Sequence, residues 1–64
     1  MNRYLVYLKD EPFVIVDADK VKIGDTGELL FCKIKRNEMI DADILVAAFN
    51  QNKWAYYLHA GEEI

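Results

Sequence analysis

Apolar side chains return at every second position through most of this chain, and the alternation breaks at turn-forming residues. That pattern belongs to β-strands, whose side chains point to opposite faces in turn. It predicts six short strands: Arg3–Leu8, Phe13–Val16, Val21–Ile23, Glu28–Arg36, Ile44–Phe49 and Trp54–His59. Lys9-Asp10-Glu11-Pro12 turns the first pair, with Pro12 just ahead of a strand. "GDTG" at Gly24–Gly27 is the clearest turn, because glycines flank two polar residues. Over Asp41–Asn50, Ala42, Leu45, Ala47 and Ala48 also tolerate a helix that Asp41 can cap. The expected class is all-β, or α+β if that one short helix forms. The expected architecture is a small antiparallel barrel or sandwich of five or six strands, SH3-like in size. Residues 1–59 make the domain and 60–64 a frayed tail.

At 64 residues there is room for one domain. A chain this short buries only about 60% of its unfolded surface, so a staple is expected. Cys32 is the only cysteine, which excludes an intrachain disulfide, and "LLFCKIK" reads as a buried strand thiol. The apolar fraction is 53%, and both faces of the last two strands are apolar. That surplus points to a homo-oligomer, with open sheet edges as a further pairing site. No apolar run approaches the length of a membrane span. "NRYLVYL" is interrupted too soon by charge to serve as a signal peptide, so a reducing cytoplasm is the expected compartment.

Two segments share a signature, "VDAD" at Val16–Asp19 and "IDAD" at Ile40–Asp43. On a strand, Asp17 and Asp19 stand about 6.5–7 Å apart, wide for one shared metal ion. The calcium-loop pattern of repeated acids, a central Gly and a closing Glu is missing. Aspartate suits strand ends, so each segment reads as a bend beside a buried alanine. His59 is the only histidine, and no serine occurs at all. A Cys32–His59 pair would need coincidence of fold to act as nucleophile and base. Gly24, Gly27 and Gly61 fit no phosphate-binding loop. No catalytic residue, metal site or cofactor is expected, and the chain is read as a non-enzyme.

With Asp25-Thr26 as a two-residue loop, the central hairpin sorts its side chains into two faces. Val21, Ile23, Leu30, Cys32 and Ile34 form a core face. The other carries Lys20, Lys22, Leu29, Phe31, Lys33 and Lys35, with Arg36 beyond; a one-residue slip would exchange these neighbours. Cations around an aromatic ring can neutralise phosphates and stack a base, so this face is a candidate site for an anionic ligand or a partner. The competing reading is a solvated face whose lysines discourage aggregation, with Leu29 and Phe31 in a subunit interface. Eight Lys and Arg against eleven Asp and Glu give a net charge of −3, which makes nucleic acid an unlikely partner. Trp54 is expected opposite Phe49 as a cross-strand core pair. Tyr4, Tyr7 and Tyr57 are interface candidates, since tyrosine is enriched there.

In order, "YLVYLKDEP", "VDADKV", "LLFCKI", "LVAAF" and "KWAYYL" resemble small phage and prophage β-domain proteins. Leu8, Ala18, Asp19, Leu29, Phe31, Val46, Ala47, Phe49 and Trp54 occupy the matching places, and the long "KRNEMIDAD" connection departs from the pattern. The resemblance implies an oligomeric viral accessory protein in a host bacterial cytoplasm. Such a protein inhibits host defence by gripping a defence protein or sequestering a nucleotide messenger. Two alternatives stand beside it: a structural, assembly or regulatory protein–protein module, and a small barrel that binds nucleic acid.

Overall fold

A computed structural model describes residues 1–36 and 41–62; the 37–40 connection and Glu63–Ile64 lie outside the described residues. The chain is all-β, with no helix among the described residues. The strands are β1 (Asn2–Leu8), β2 (Phe13–Ala18), β3 (Lys20–Ile23), β4 (Leu29–Arg36), β5 (Asp41–Phe49) and β6 (Trp54–Glu62). All six expected strands are present. Asp41–Phe49, within the segment that also tolerates a helix, is strand. Ala60–Glu62, expected to fray, continue β6, and Gly61 pairs with Arg3.

The strands form two antiparallel three-stranded sheets, β2-β1-β6 and β3-β4-β5. Cα extents are 42 × 29 × 12 Å. The shortest axis matches two sheets stacked about 10 Å apart. The radius of gyration, 12.5 Å, exceeds the roughly 11 Å expected of a rounder domain this size. The molecule is a slab.

The core lies where the two sheets overlap. Tyr4 and Val6 from β1, Val16 and Ala18 from β2, and Leu29 and Phe31 from β4 are buried together. Phe31 is the hub, with its ring 5.2 Å from Tyr4, 6.1 Å from Phe49 and 6.2 Å from Tyr57. Cys32 is buried as expected.

Three local devices decide which side chains reach this core. The first is the β3–β4 turn. The Gly27 N–H donates to Gly24 O at 3.0 Å, and the Gly24 N–H to Glu28 O at 2.8 Å. That is a three-residue loop, Asp25-Thr26-Gly27, with Gly27 at φ +84° completing the bulge. The expected two-residue loop is therefore corrected. Lys22 pairs with Leu30 and Val21 with Phe31, one residue away from the register that loop required. The Thr26 hydroxyl donates to the Glu28 carboxylate and holds its pKa below the usual range. Replacing Gly27 by alanine strains the left-handed backbone and pushes a Cβ toward Gln51 Cγ, 2.8 Å away. We expect a loss of about 1–2 kcal/mol, read by urea denaturation.

The second device is a set of bulges. Pairing of β4 with β5 shifts between Phe31 and Cys32, which leaves Val46 as an extra residue. Pairing of β1 with β6 shifts twice, leaving Ala55 and Ala60 extra. Each extra residue reverses the alternation beyond it. So Ala47 and Phe49 face inward while Leu45 faces out. Trp54, Tyr57 and His59 share the inner side of β6, and Tyr56 and Leu58 the outer. β5 and β6 are not a hairpin, because they belong to different sheets. Trp54 packs against the core, but its strand partner is Leu8, not Phe49. Its indole N–H donates to Gly27 O at 3.1 Å and ties the two sheets together.

The third is the corner at Asp19, where the chain leaves one sheet for the other. Its N–H donates to Cys32 O at 2.9 Å, and its carboxylate accepts the Ile34 N–H at 2.7 Å. Ala18 beside it is fully buried, as a bend next to a buried alanine requires. The second motif differs: Ala42 is exposed on β5.

Candidate functional site

The two DAD motifs meet, but not as a metal site. Asp19 binds the Ile34 backbone, Asp43 pairs with Ile34 from β5, and Lys20 makes an ion pair with Asp43. Asp43 hydrogen-bonds the Lys20 ammonium and raises its pKa above the ordinary value. Asp17 turns the other way and takes a two-pronged contact from Arg3, at 2.9 and 3.2 Å. These carboxylates are occupied by separate cations and amides. Among the described residues, no three His, Cys, Asp or Glu side chains gather as a metal-binding group.

The basic face expected around Phe31 is not assembled. Leu29 and Phe31 are both 0% exposed, at the centre of the core. The one-residue change in the loop is the cause, since it turns Val21 and Ile23 to the side of Leu29 and Phe31. Lys20 and Lys22 consequently stand on the outer face of β3-β4-β5, in rows with Cys32 and Leu30. Lys33 and Lys35 share parity with Phe31 but lie past the end of the core, exposed and paired with Ile44 and Ala42. Arg36 is exposed at the end of β4. The four lysines thus divide between two faces.

Of the tyrosines expected at an interface, Tyr4 is buried, 6% exposed, with its ring against Phe31. Tyr57 is half-buried and packs on the core, its ring 6.1 Å from Tyr4. Only Tyr7 stands on an outer face.

That outer face belongs to β2-β1-β6, and it is the feature that sequence reasoning missed. Because Tyr4, Val6 and Val16 point inward, Leu5, Tyr7, Phe13 and Ile15 point outward. Register aligns them in rows. Phe13, Tyr7 and Tyr56 lie side by side across the sheet, and Ile15, Leu5 and Leu58 form the next row. The Tyr7 ring stacks on Tyr56 with centroids 4.5 Å apart and planes 15° apart, and lies 5.5 Å from Phe13. A third row, Asp17, Arg3 and Gly61, closes the patch with the ion pair.

Six apolar side chains therefore cover two of the three rows of this sheet face. Phe13 is 46% exposed, Ile15 57%, Tyr56 52% and Leu58 49%; Leu5 and Tyr7 between them are partly covered. A whole aromatic side chain carries about 150–250 Å² and an aliphatic one less, so at these exposures the patch presents about 450–500 Å². Scattered apolar residues on a surface are ordinary, but contiguous patches of about 300–600 Å² commonly mark function. The signal in the sequence was the apolar character of both phases of Arg3–Leu8, where Leu5 and Tyr7 alternate with Tyr4, Val6 and Leu8.

Compared with protein-family models, curated proteins and solved structures, the chain matches none.

Proposed function

We propose that this chain is a non-enzymatic binding protein that engages protein surface through the outer face of β2-β1-β6. One observation carries the reading: the two cross-strand rows, Phe13–Tyr7–Tyr56 and Ile15–Leu5–Leu58, that leave the sheet apolar on both sides. A sheet apolar on both sides needs a second layer on each. The core supplies one layer and a partner supplies the other. A nucleotide or nucleic-acid strand instead needs converging cations, and here Lys20 and Lys22 stand apart from Lys33 and Lys35. The patch's own charges, Arg3 and Asp17, neutralise each other at its margin.

A photo-reactive phenylalanine analogue placed at position 56 or 15 and activated inside expressing cells should give protein adducts. The same group at Lys22, on the outer face of the other sheet, should give none. Adducts of equal yield at all three positions would reject the face as the working surface. Lys33→Glu with Lys35→Glu should leave the adducts at position 56 unchanged.

A further inference from the structure

We infer that the occupant of this face is a second copy of the chain, docked face to face about a two-fold axis that runs across the strands. The inference rests on the reading above and names the partner.

Area is the first argument. One patch of about 450–500 Å² gives about 900–1,000 Å² when covered by its equal, at the lower edge of specific interfaces and the size of a weak, reversible dimer. A copy of the same face matches the patch in size and outline and leaves no apolar remainder on either side, as an isologous contact does. The need is also internal to the chain. Among the described residues, seven hydrophobic ones are buried in the core, whereas nine large ones are at least 40% exposed. Four of those nine, Phe13, Ile15, Tyr56 and Leu58, are on this one face.

The charged row chooses the axis. A two-fold axis along the strands covers all three strands only when it lies over β1, since an axis offset toward β2 leaves Tyr56 and Leu58 of β6 uncovered; over β1 it stacks that strand on its partner's β1 row for row and brings Arg3 over the partner's Arg3. Like charges would then meet in a desolvated contact, which is strongly unfavourable. An axis across the strands, between the two apolar rows, reverses the order of rows. The aromatic row of each copy then lies on the aliphatic row of the other, so Tyr56 covers Leu58 and Phe13 covers Ile15. The Arg3–Asp17 row of each copy projects past the contact and stays in water at the rim. Both copies keep their β3-β4-β5 sheets outermost, giving four layers.

The test is sedimentation equilibrium of the purified full chain of 7.5 kDa. Wild type should sediment at twice that mass. Ile15→Lys and Leu58→Lys should each weaken the dimer roughly a hundredfold or more while circular dichroism stays unchanged, because both positions are half exposed. Val46→Lys, on β5, should leave the dimer intact. Orientation is read with a short bismaleimide. Tyr56→Cys protein mixed with Leu58→Cys protein should give a cross-linked heterodimer, and Ile15→Cys protein mixed with Leu58→Cys protein, two strands apart about this axis but face to face about one along the strands, should give none. Efficient linking of Ile15→Cys to Leu58→Cys overturns the axis. A dimer that survives both lysine substitutions overturns the second copy as occupant. A monomeric wild type also overturns the second copy, and adducts to other proteins at position 56 would then keep the binding reading standing. A monomer with no such adducts ends both.

Discussion

Phe31→Ala is expected to unfold the domain near room temperature. The ring is fully buried and touches Tyr4, Phe49 and Tyr57, so both sheets lean on it. Truncating a buried phenylalanine costs about 3–5 kcal/mol, from lost transfer energy plus the cavity left behind. At about 0.05–0.15 kcal/mol per residue, a chain of 64 residues has about 3–10 kcal/mol in total. The substitution removes a large part of that or all of it. Thermal melts followed by near-ultraviolet dichroism, which reports aromatic packing, should show the transition lost or moved below 25 °C. A variant that melts within a few degrees of wild type would mean that the slab is held elsewhere, and that Phe31 is not its hub.

Ala18→Leu is the second large effect. Ala18 is fully buried at the corner where β2 hands the chain to β3, immediately before the two hydrogen bonds of Asp19 to β4. A leucine there has no space to enter without prising β2 from β4. Overpacking of this kind costs about 1–3 kcal/mol and more where backbone is pinned nearby. The matched control is Ala42→Leu in the second DAD motif. Ala42 is exposed, opposite Lys35, so its substitution should stay within about 0.5 kcal/mol of neutral. Urea midpoints of the two variants should therefore separate widely. Equal midpoints would show that the two motifs share one environment, against the burial seen here.

Strand positions were legible because they depend on local alternation and turn chemistry. Tyr4, Val6 and Leu8 announce a strand whatever packs on them. Faces were not legible to the same degree, because each depends on a single residue of register. "GDTG" reads equally well as a two- or three-residue loop, and only the second places Phe31 inside. Val46, Ala55 and Ala60 each shift parity by one, and nothing in their side chains marks them as extra. The corner at Asp19 was readable as a bend, since aspartate and a small neighbour suit one. Its partners Cys32 and Ile34 were not, being supplied by another strand. The outer face of β2-β1-β6 is the extreme case. It gathers residues from 5 to 58 into two rows, and only the pairing of β1 with both β2 and β6 puts them side by side.

That pairing of β1 also sets a clock. β1 is the middle strand of its sheet, yet one neighbour, β6, begins at Trp54 and meets it as far apart in sequence as Asn2 with Glu62. Closing a loop of that span comes before the contacts that reward it, which places the chain among slower-folding small domains, in the millisecond-to-second range. During synthesis, Leu5 and Tyr7 emerge ahead of β6 and wait on an unfinished sheet. Until β6 leaves the ribosome, β1 offers a bare hydrogen-bonding edge to any neighbouring chain, and the rate of translation decides how long that exposure lasts.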